Sequence, residues 1–261
     1  MTSDLIQRAA ALVAEAERVV VLTGAGISTP SGIPDFRSPG KGLWEKMEPE
    51  AVASLGGFLR DPAAFCSWLR PLLSQIVNAE PNPAHRALAA LEQAGLLRIT
   101  ITQNIDGLHQ KAGSRQVLEL HGNLRQATCL RCRHQMSAAG LIEGLLASAA
   151  VPRCPECGGI IKPDVVLYGE LLPVDVLTQA EEEASACDLM WVVGSSLAVA
   201  PASFLPQYAA AHGASLLITN REPTPLDSLA DLVLRGDVAE LLPAIADACQ
   251  ALLGARRPSC S

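Results

Sequence analysis

Apolar residues recur along this chain in two patterns. Val19-Val20-Val21-Leu22 is an unbroken apolar run, three of its members β-branched, and such runs predict strands buried on both faces. Similar runs lie at 97–102 and 189–193, with shorter ones at 117–120, 215–218 and 232–234. Between them apolar positions return at helical spacing: 3–17, from Asp61-Pro62 to about 77, from Asn82-Pro83 to Gly95, 137–146, 173–186, 203–211 and 238–253. Asp61 and Asn82, each followed by Pro, read as N-caps, and Gly95 reads as a stop. Strand and helix alternate, so the pattern predicts an α/β fold on a parallel sheet.

Composition agrees with that outline. Of 261 residues, 49% are hydrophobic and 18% charged, which suits one large domain with a small insert. No apolar run reaches the roughly 18 residues of a membrane span. The start, Met1-Thr2-Ser3-Asp4-Leu5, lacks the basic and apolar segments of a signal peptide, so a cytoplasmic protein without membrane contact is expected. The net charge of −7 argues against nucleic acid, because phosphate contact needs a basic surface. An anionic cofactor would have to be held by local devices.

Polar chemistry gathers where the strands end. The first strand runs into Gly24-Ala25-Gly26-Ile27-Ser28, where glycines permit positive φ and close approach, and a helix opening at 25–28 would aim N–H groups at an anion. The dinucleotide fingerprint wants a third glycine where Thr29 stands, so the turn by itself could be a plain strand-to-helix connection. Gly32-Ile33-Pro34-Asp35-Phe36-Arg37 then sets an acid, a ring and a guanidinium in a loop, and 41–44 reads as a lid or as a surface loop pinned by Trp44. The second strand delivers Gln103-Asn104-Ile105-Asp106-Gly107, more polar groups than one helix cap can use. Val117-Leu118-Glu119-Leu120-His121-Gly122 ends in a histidine that is either structural or catalytic. Gly194-Ser195-Ser196 and Thr219-Asn220 close two later strands.

Cys129-x-x-Cys132 and Cys154-x-x-Cys157, about twenty residues apart, have the spacing of a four-cysteine zinc ribbon. Four thiolates fill a tetrahedral shell and leave no open position, so the zinc predicted here is structural. A redox role would require both pairs to serve it.

Taken together, Gly24-Ala-Gly-Ile-Ser28, Gly32-Ile-Pro-Asp-Phe-Arg37, Thr102-Gln-Asn-Ile-Asp-Gly-Leu108, His121-Gly122 and the paired cysteines resemble the sirtuin family of NAD-dependent protein deacylases over roughly 10–250. The resemblance implies a Rossmann-type domain at 1–121 and 162–255 and a small zinc domain at 122–161; the tail 256–261 reads as disordered. It makes Gly24, Ala25, Gly26, Ile27, Asp35, Phe36 and Arg37 the loop that clasps NAD. Gln103, Asn104, Ile105 and Asp106 would surround the nicotinamide ribose. Gly194, Ser195 and Ser196 would meet the phosphates, Asn220 and Arg221 the adenosine ribose, and Val238 the adenine. Val165, Val166, Gly169 and Glu170 on one side, with Leu197, Ala198 and Val199 on the other, would grip an acetyl-lysine peptide as an added strand. No partner other than such proteins or peptides is implied, and a monomer is expected.

The implied reaction consumes NAD. The acyl-lysine amide oxygen attacks the ribose carbon as nicotinamide leaves, and His121 serves as general base on a ribose hydroxyl that adds to the acyl carbon. Asn104 and Asp106 complete the catalytic set; lysine, nicotinamide and O-acetyl-ADP-ribose are the products. An imidazole suits that task, because its ordinary pKa of about 6.5 leaves much of it neutral in cells. Family members preferring succinyl or malonyl carry a Tyr-x-x-Arg pair on the helix after the cofactor loop; here Leu69 and Leu72 stand at those positions, with Arg70 off that face. Acetyl or longer apolar acyl groups are therefore expected. Three other activities remain open: a dehydrogenase, a zinc-ribbon binding module, and transfer of ADP-ribose to proteins.

Overall fold

The apolar run at 19–22 becomes β1 (Val19–Thr23), buried at every residue. The computed structural model describes residues 2–35, 52–148 and 150–256, so Phe36, Arg37, the 41–44 segment and 257–261 lie outside the described residues. β1 pairs in parallel with β2 (Ile99–Thr102) on one side and β7 (Leu189–Val193) on the other, Leu22 lying between Ile101 and Val192. β3 (Val117–Glu119) extends the sheet beyond β2, and β8 (Ser215–Thr219) and β9 (Leu232–Leu234) extend it beyond β7. The order is β3-β2-β1-β7-β8-β9, parallel throughout.

Alternation along the strands explains why the runs are apolar at every position. Val19, Val21, Trp191, Val193 and Leu217 face a layer formed by α1 (Thr2–Glu15), α4 (Pro83–Gln93) and α9 (Val238–Arg256). Val20, Leu22, Ile101, Met190, Val192 and Ile218 face α7 (Val174–Ala186) and α8 (Leu205–Ala211). Each such side chain removed from water contributes roughly 1.5–3 kcal/mol. Trp191 keeps its one polar atom satisfied by donating from Nε1 to Thr219 Oγ1 at 2.9 Å.

The caps read from sequence are present. Asp61 Oδ1 accepts from Ala64 N at 3.0 Å at the start of α3 (Pro62–Asn78), and Asn82 Oδ1 accepts from Ala84 N at 2.9 Å at the start of α4. α2 (Leu55–Arg60) was not anticipated, because Gly56 and Gly57 lower its helical propensity; Ser54 Oγ nevertheless caps it by accepting from Gly57 N.

A second sheet holds the cysteines. β4 (Gly122–Cys129) pairs antiparallel with β5 (Gln135–Ser137) and β6 (Ile161–Val165). The helix expected over 137–146 is α6 (Ala139–Ser148), starting later because 135–137 are drawn into pairing with β4. The expected boundary at 161/162 falls inside β6. A third apolar cluster joins this sheet and α6 to α2 and α3 through Phe58, Phe65, Leu69, Leu73, Leu124, Leu141, Leu145 and Val165. Among the described residues no helix is long and apolar enough to cross a membrane.

Candidate active site

Strand order proceeds outward in opposite directions from β1 and β7, and their carboxyl ends flank the crevice where open α/β sheets bind ligands. The two glycine-rich turns meet there. Gly24 N donates to Val193 O, Gly26 N to Gly194 O at 2.8 Å, and Gly194 N to Thr219 O. The glycines serve close approach and not, as expected, positive φ at 24 and 26: Gly24 sits at φ −126°. A Cβ on Gly26 would lie 2.7 Å from Gly194 O, and one on Gly194 would lie 2.4 Å from Ile27 N. Gly194 alone of the three has positive φ, +57°. In place of the expected helix at 25–28 there are two short 3-10 turns, Ala25–Ile27 and Thr29–Ser31; Pro30 has no N–H to carry a helical ladder through, and Gly32 at φ +84° ends the second turn.

A cavity of about 890 Å³ opens over these turns and runs between the two sheets. It collects most of the residues expected to touch NAD: Gly24, Ala25, Gly26, Asp35, Gln103, Asn104, Ile105, Asp106, Gly194, Ser195, Ser196, Asn220, Arg221 and Val238. From the expected peptide edges it gathers Val165, Val166, Gly169, Glu170 and Val199. The side chains of Ile27 and Leu197 turn instead into the apolar layers on opposite faces of the main sheet, and Ala198 does not line the cavity. Arg221 is ion-paired to Asp237 at 2.8 Å.

His121 lies on the wall of this cavity, two residues past β3. Its Nδ1 is 2.7 Å from Gln103 O. A carbonyl can only accept, so the ring proton sits on Nδ1 and the basic lone pair on Nε2. Across the cavity, both amide hydrogens of Asn104 are engaged, by Gly24 O and Ser28 Oγ, each at 3.1 Å, which leaves Oδ1 as that side chain's acceptor. Ser28 Oγ in turn donates to Asp106 Oδ2 at 2.7 Å, while Asp106 Oδ1 accepts from Leu108 N at the start of α5 (Leu108–Lys111), whose N-cap position is Gly107. Asp106 thus orders both Ser28 and the backbone that enters this helix. Burial pushes its carboxyl above the usual carboxylate range, helped by the nearby Glu119 charge and opposed by the two hydrogen bonds. Gln103 Nε2 reaches Ser195 Oγ at 2.9 Å and ties the second strand end to the second glycine turn.

Several contributors escaped the sequence reading. Ser28 joins Asn104 to Asp106, and its place in the glycine-rich run was the available signal. Beneath the site, Thr23 Oγ1 bridges Thr102 Oγ1 at 2.8 Å and His109 Nε2 at 3.0 Å, with His85 edge-on to His109 at 5.0 Å between ring centres. Burial lowers the pKa of His85 to about 4; burial and then the His85 charge lower that of His109 to about 3. The far end of the cavity is lined by Ile33, Phe65, Trp68, Leu69, Leu72 and Ile76. Arg70 points out of it and donates from Nε to Leu146 O at 2.9 Å.

The four cysteines converge as their spacing implied. Their sulfurs lie within 4.8 Å of one another, with 3.5 Å between Cys129 and Cys157 and 3.7 Å between Cys132 and Cys154. Corners of a tetrahedron with Zn–S bonds of about 2.3 Å are about 3.8 Å apart, so the residues present fit zinc. Gly159 N donates to Cys157 Sγ at 3.4 Å, and a Cβ there would stand 2.9 Å from Cys129 Sγ.

A model of the Sir2 family matches residues 24–201. The chain is also 47% identical over 245 residues, 94% of it and 96% of the relative, to the NAD-dependent protein deacylase 2 of Archaeoglobus fulgidus. The chain belongs to the Sir2 family. Another member, the NAD-dependent protein deacetylase of Sulfurisphaera tokodaii, is 48% identical over 228 residues, 87% of this chain and 89% of that one. A solved Sir2 protein with a p53 peptide and NAD+ superposes with a TM-score of 0.83 at 42% identity, covering 90% of this chain and 95% of that one. Family membership accounts for a Rossmann-type sheet and a cysteine-rich insert occurring in one chain.

Proposed function

We propose that this chain is an NAD-dependent protein-lysine deacetylase that converts acetyl-lysine and NAD to lysine, nicotinamide and O-acetyl-ADP-ribose. The observation that carries the reading is the Nδ1–H of His121 donated to Gln103 O, on the wall of a cleft that also holds Asn104, Asp106 and the paired glycine turns. When bound, NAD supplies a ribose carbon carrying nicotinamide as leaving group. The proton held at Nδ1 makes Nε2 the nitrogen that takes a proton from a ribose hydroxyl. Asn104 is fixed through its Nδ2 by Gly24 and Ser28, which leaves Oδ1 to accept from a ligand hydroxyl. Asp106 orders Ser28, and the bare glycine turns at Gly24, Gly26 and Gly194 leave room for a ligand to approach the backbone closely.

The substrate in this reading is an acetylated peptide laid between 165–170 and 197–199, and the chain divides into a cofactor domain and a zinc domain that face each other across it. Zinc held by Cys129, Cys132, Cys154 and Cys157 would be structural, with no coordination site left for substrate. Four thiolate ligands need a reducing compartment, which supports a cytoplasmic setting. A second reading, removal of longer apolar acyl groups, is favoured by the apolar wall of Phe65, Trp68, Leu69, Leu72 and Ile76.

The test is incubation of the zinc-loaded protein with NAD and an acetyl-lysine peptide. Nicotinamide and deacetylated peptide should appear one for one, and neither should appear with the unacetylated peptide. NADH formation, or nicotinamide release indifferent to the acetyl group, would refute the proposal.

A further inference from the structure

One charged side chain near the cleft lies buried in the interior. Lys162, in β6, is 8% exposed. Its ammonium has three hydrogens and three acceptors: Val165 O at 2.7 Å, Glu170 Oε2 at 3.0 Å and Pro163 O at 3.2 Å. The same Oε2 accepts from Leu167 N at 2.8 Å, and Glu170 N donates to Leu167 O at 2.9 Å. Glu170 is therefore occupied by its own loop, although it lies on the cavity wall. The loop is bonded on both sides as well: Val166 N donates to His121 O, and Tyr168 exchanges backbone bonds with Ala53 and Leu55.

We propose that Lys162 is a positioning residue for the substrate-peptide edge at 165–170, acting through Glu170. Replacing a buried ion pair with apolar groups of similar size is often neutral for stability, so stability alone gives no reason to retain this one. Geometry gives a reason. An ammonium with its three hydrogens directed at 163, 165 and 170 fixes the curvature of the chain where β6 leaves the small sheet, and the opposite side of that curve faces the cleft. Loss of the ammonium frees the loop while leaving the glycine turns and the Gln103 bond to His121 in place. Peptide binding then weakens, whereas NAD use and the chemical step are retained.

This rests on the deacetylase reading for its substrate, so two variants of the full zinc-loaded protein are compared with wild type by two readouts. Lys162→Met removes the ammonium and its three bonds, and Lys162→Gln keeps one neutral donor group there should the first variant not fold. The expected result for either variant is a peptide KM raised about tenfold, with kcat and the KM for NAD within about twofold of wild type. Fluorescence anisotropy of a labelled acetyl-lysine peptide should show the same weakening in Kd, in the absence of turnover. A wild-type peptide Kd in a folded Lys162 variant overturns the proposal, even if its melting temperature falls, as does anisotropy that detects no peptide binding to wild type. Absence of deacetylation by wild type that still binds peptide refutes the deacetylase reading alone.

Discussion

At the residue scale the candidate site depends on which atom holds each proton. Gln103 O assigns the His121 proton to Nδ1, and the Ser28 hydroxyl assigns Asn104 and Asp106 their orientations. Below them, His85 and His109 are buried as neutral rings, and neither nitrogen of His85 has a hydrogen-bond partner among the described residues. Their pKa values, lowered to about 4 and about 3, mean that the unfolded chain binds more protons than the folded one below the ordinary histidine value of about 6.5. Their contribution to stability is thus complete above that pH and falls as pH drops from about 6.5 toward 4. At pH 5 each costs roughly 2 kcal/mol relative to neutral pH by this linkage. His85→Leu should lose less stability than wild type between pH 7 and pH 5 in denaturant melts; parallel losses would show that the histidine is not buried as a neutral ring. None of this pairing was legible in the sequence, because Thr23 meets Thr102 only through the register of β1 and β2, and His85 and His109 reach them from two separate helices, α4 and α5.

At the element scale, strands and capped helices were legible because burial and capping act locally, as at Val19–Thr23 and at Asp61. Partnerships between elements were not. α3 illustrates the difference: its apolar spacing announced a helix, but only packing against the cysteine-bearing sheet turns Leu69 and Leu72 toward the cavity and Arg70 toward Leu146 O. The one Lys or Arg among the described residues lining the cavity is Arg221, already paired with Asp237. A succinyl carboxylate carried into the apolar end would be left without a counter-ion, at a cost of several kcal/mol. kcat/KM should therefore favour acetyl- over succinyl-lysine on the same peptide by at least about 100-fold. A ratio in favour of succinyl would mean that the acyl group does not lie against α3.

The small sheet has its own test. β4 and β6 converge on the four sulfurs, and α6 completes an apolar cluster shared with α3. Closed four-thiolate sites contribute folding energy directly. Protein purified under reducing conditions should contain one zinc per chain, and chelation should lower the melting temperature and reduce activity together. Metal-free protein with unchanged melting and turnover would refute a structural zinc.

Across the whole molecule, the cleft exists because two chain reversals coincide: the sheet order turns at β1 and β7, and the cysteine-bearing insert leaves the main sheet one residue after His121. The sequence carried the ingredients of this arrangement in its strand-end motifs, and the family resemblance put them in order. What it could not carry was the network that spaces them, such as Gly194 against Ile27 or Lys162 against Glu170, since both are contacts between distant or curved segments. The central claim is that His121 acts as a base in an otherwise preformed site. Its most direct test is mass spectrometry of an acetyl-lysine peptide incubated with NAD and either wild type or His121→Ala, each checked for folding. Wild type should remove the acetyl group and form O-acetyl-ADP-ribose, and the folded variant should do so at least about 100-fold more slowly; a folded His121→Ala that deacetylates at the wild-type rate would contradict the account.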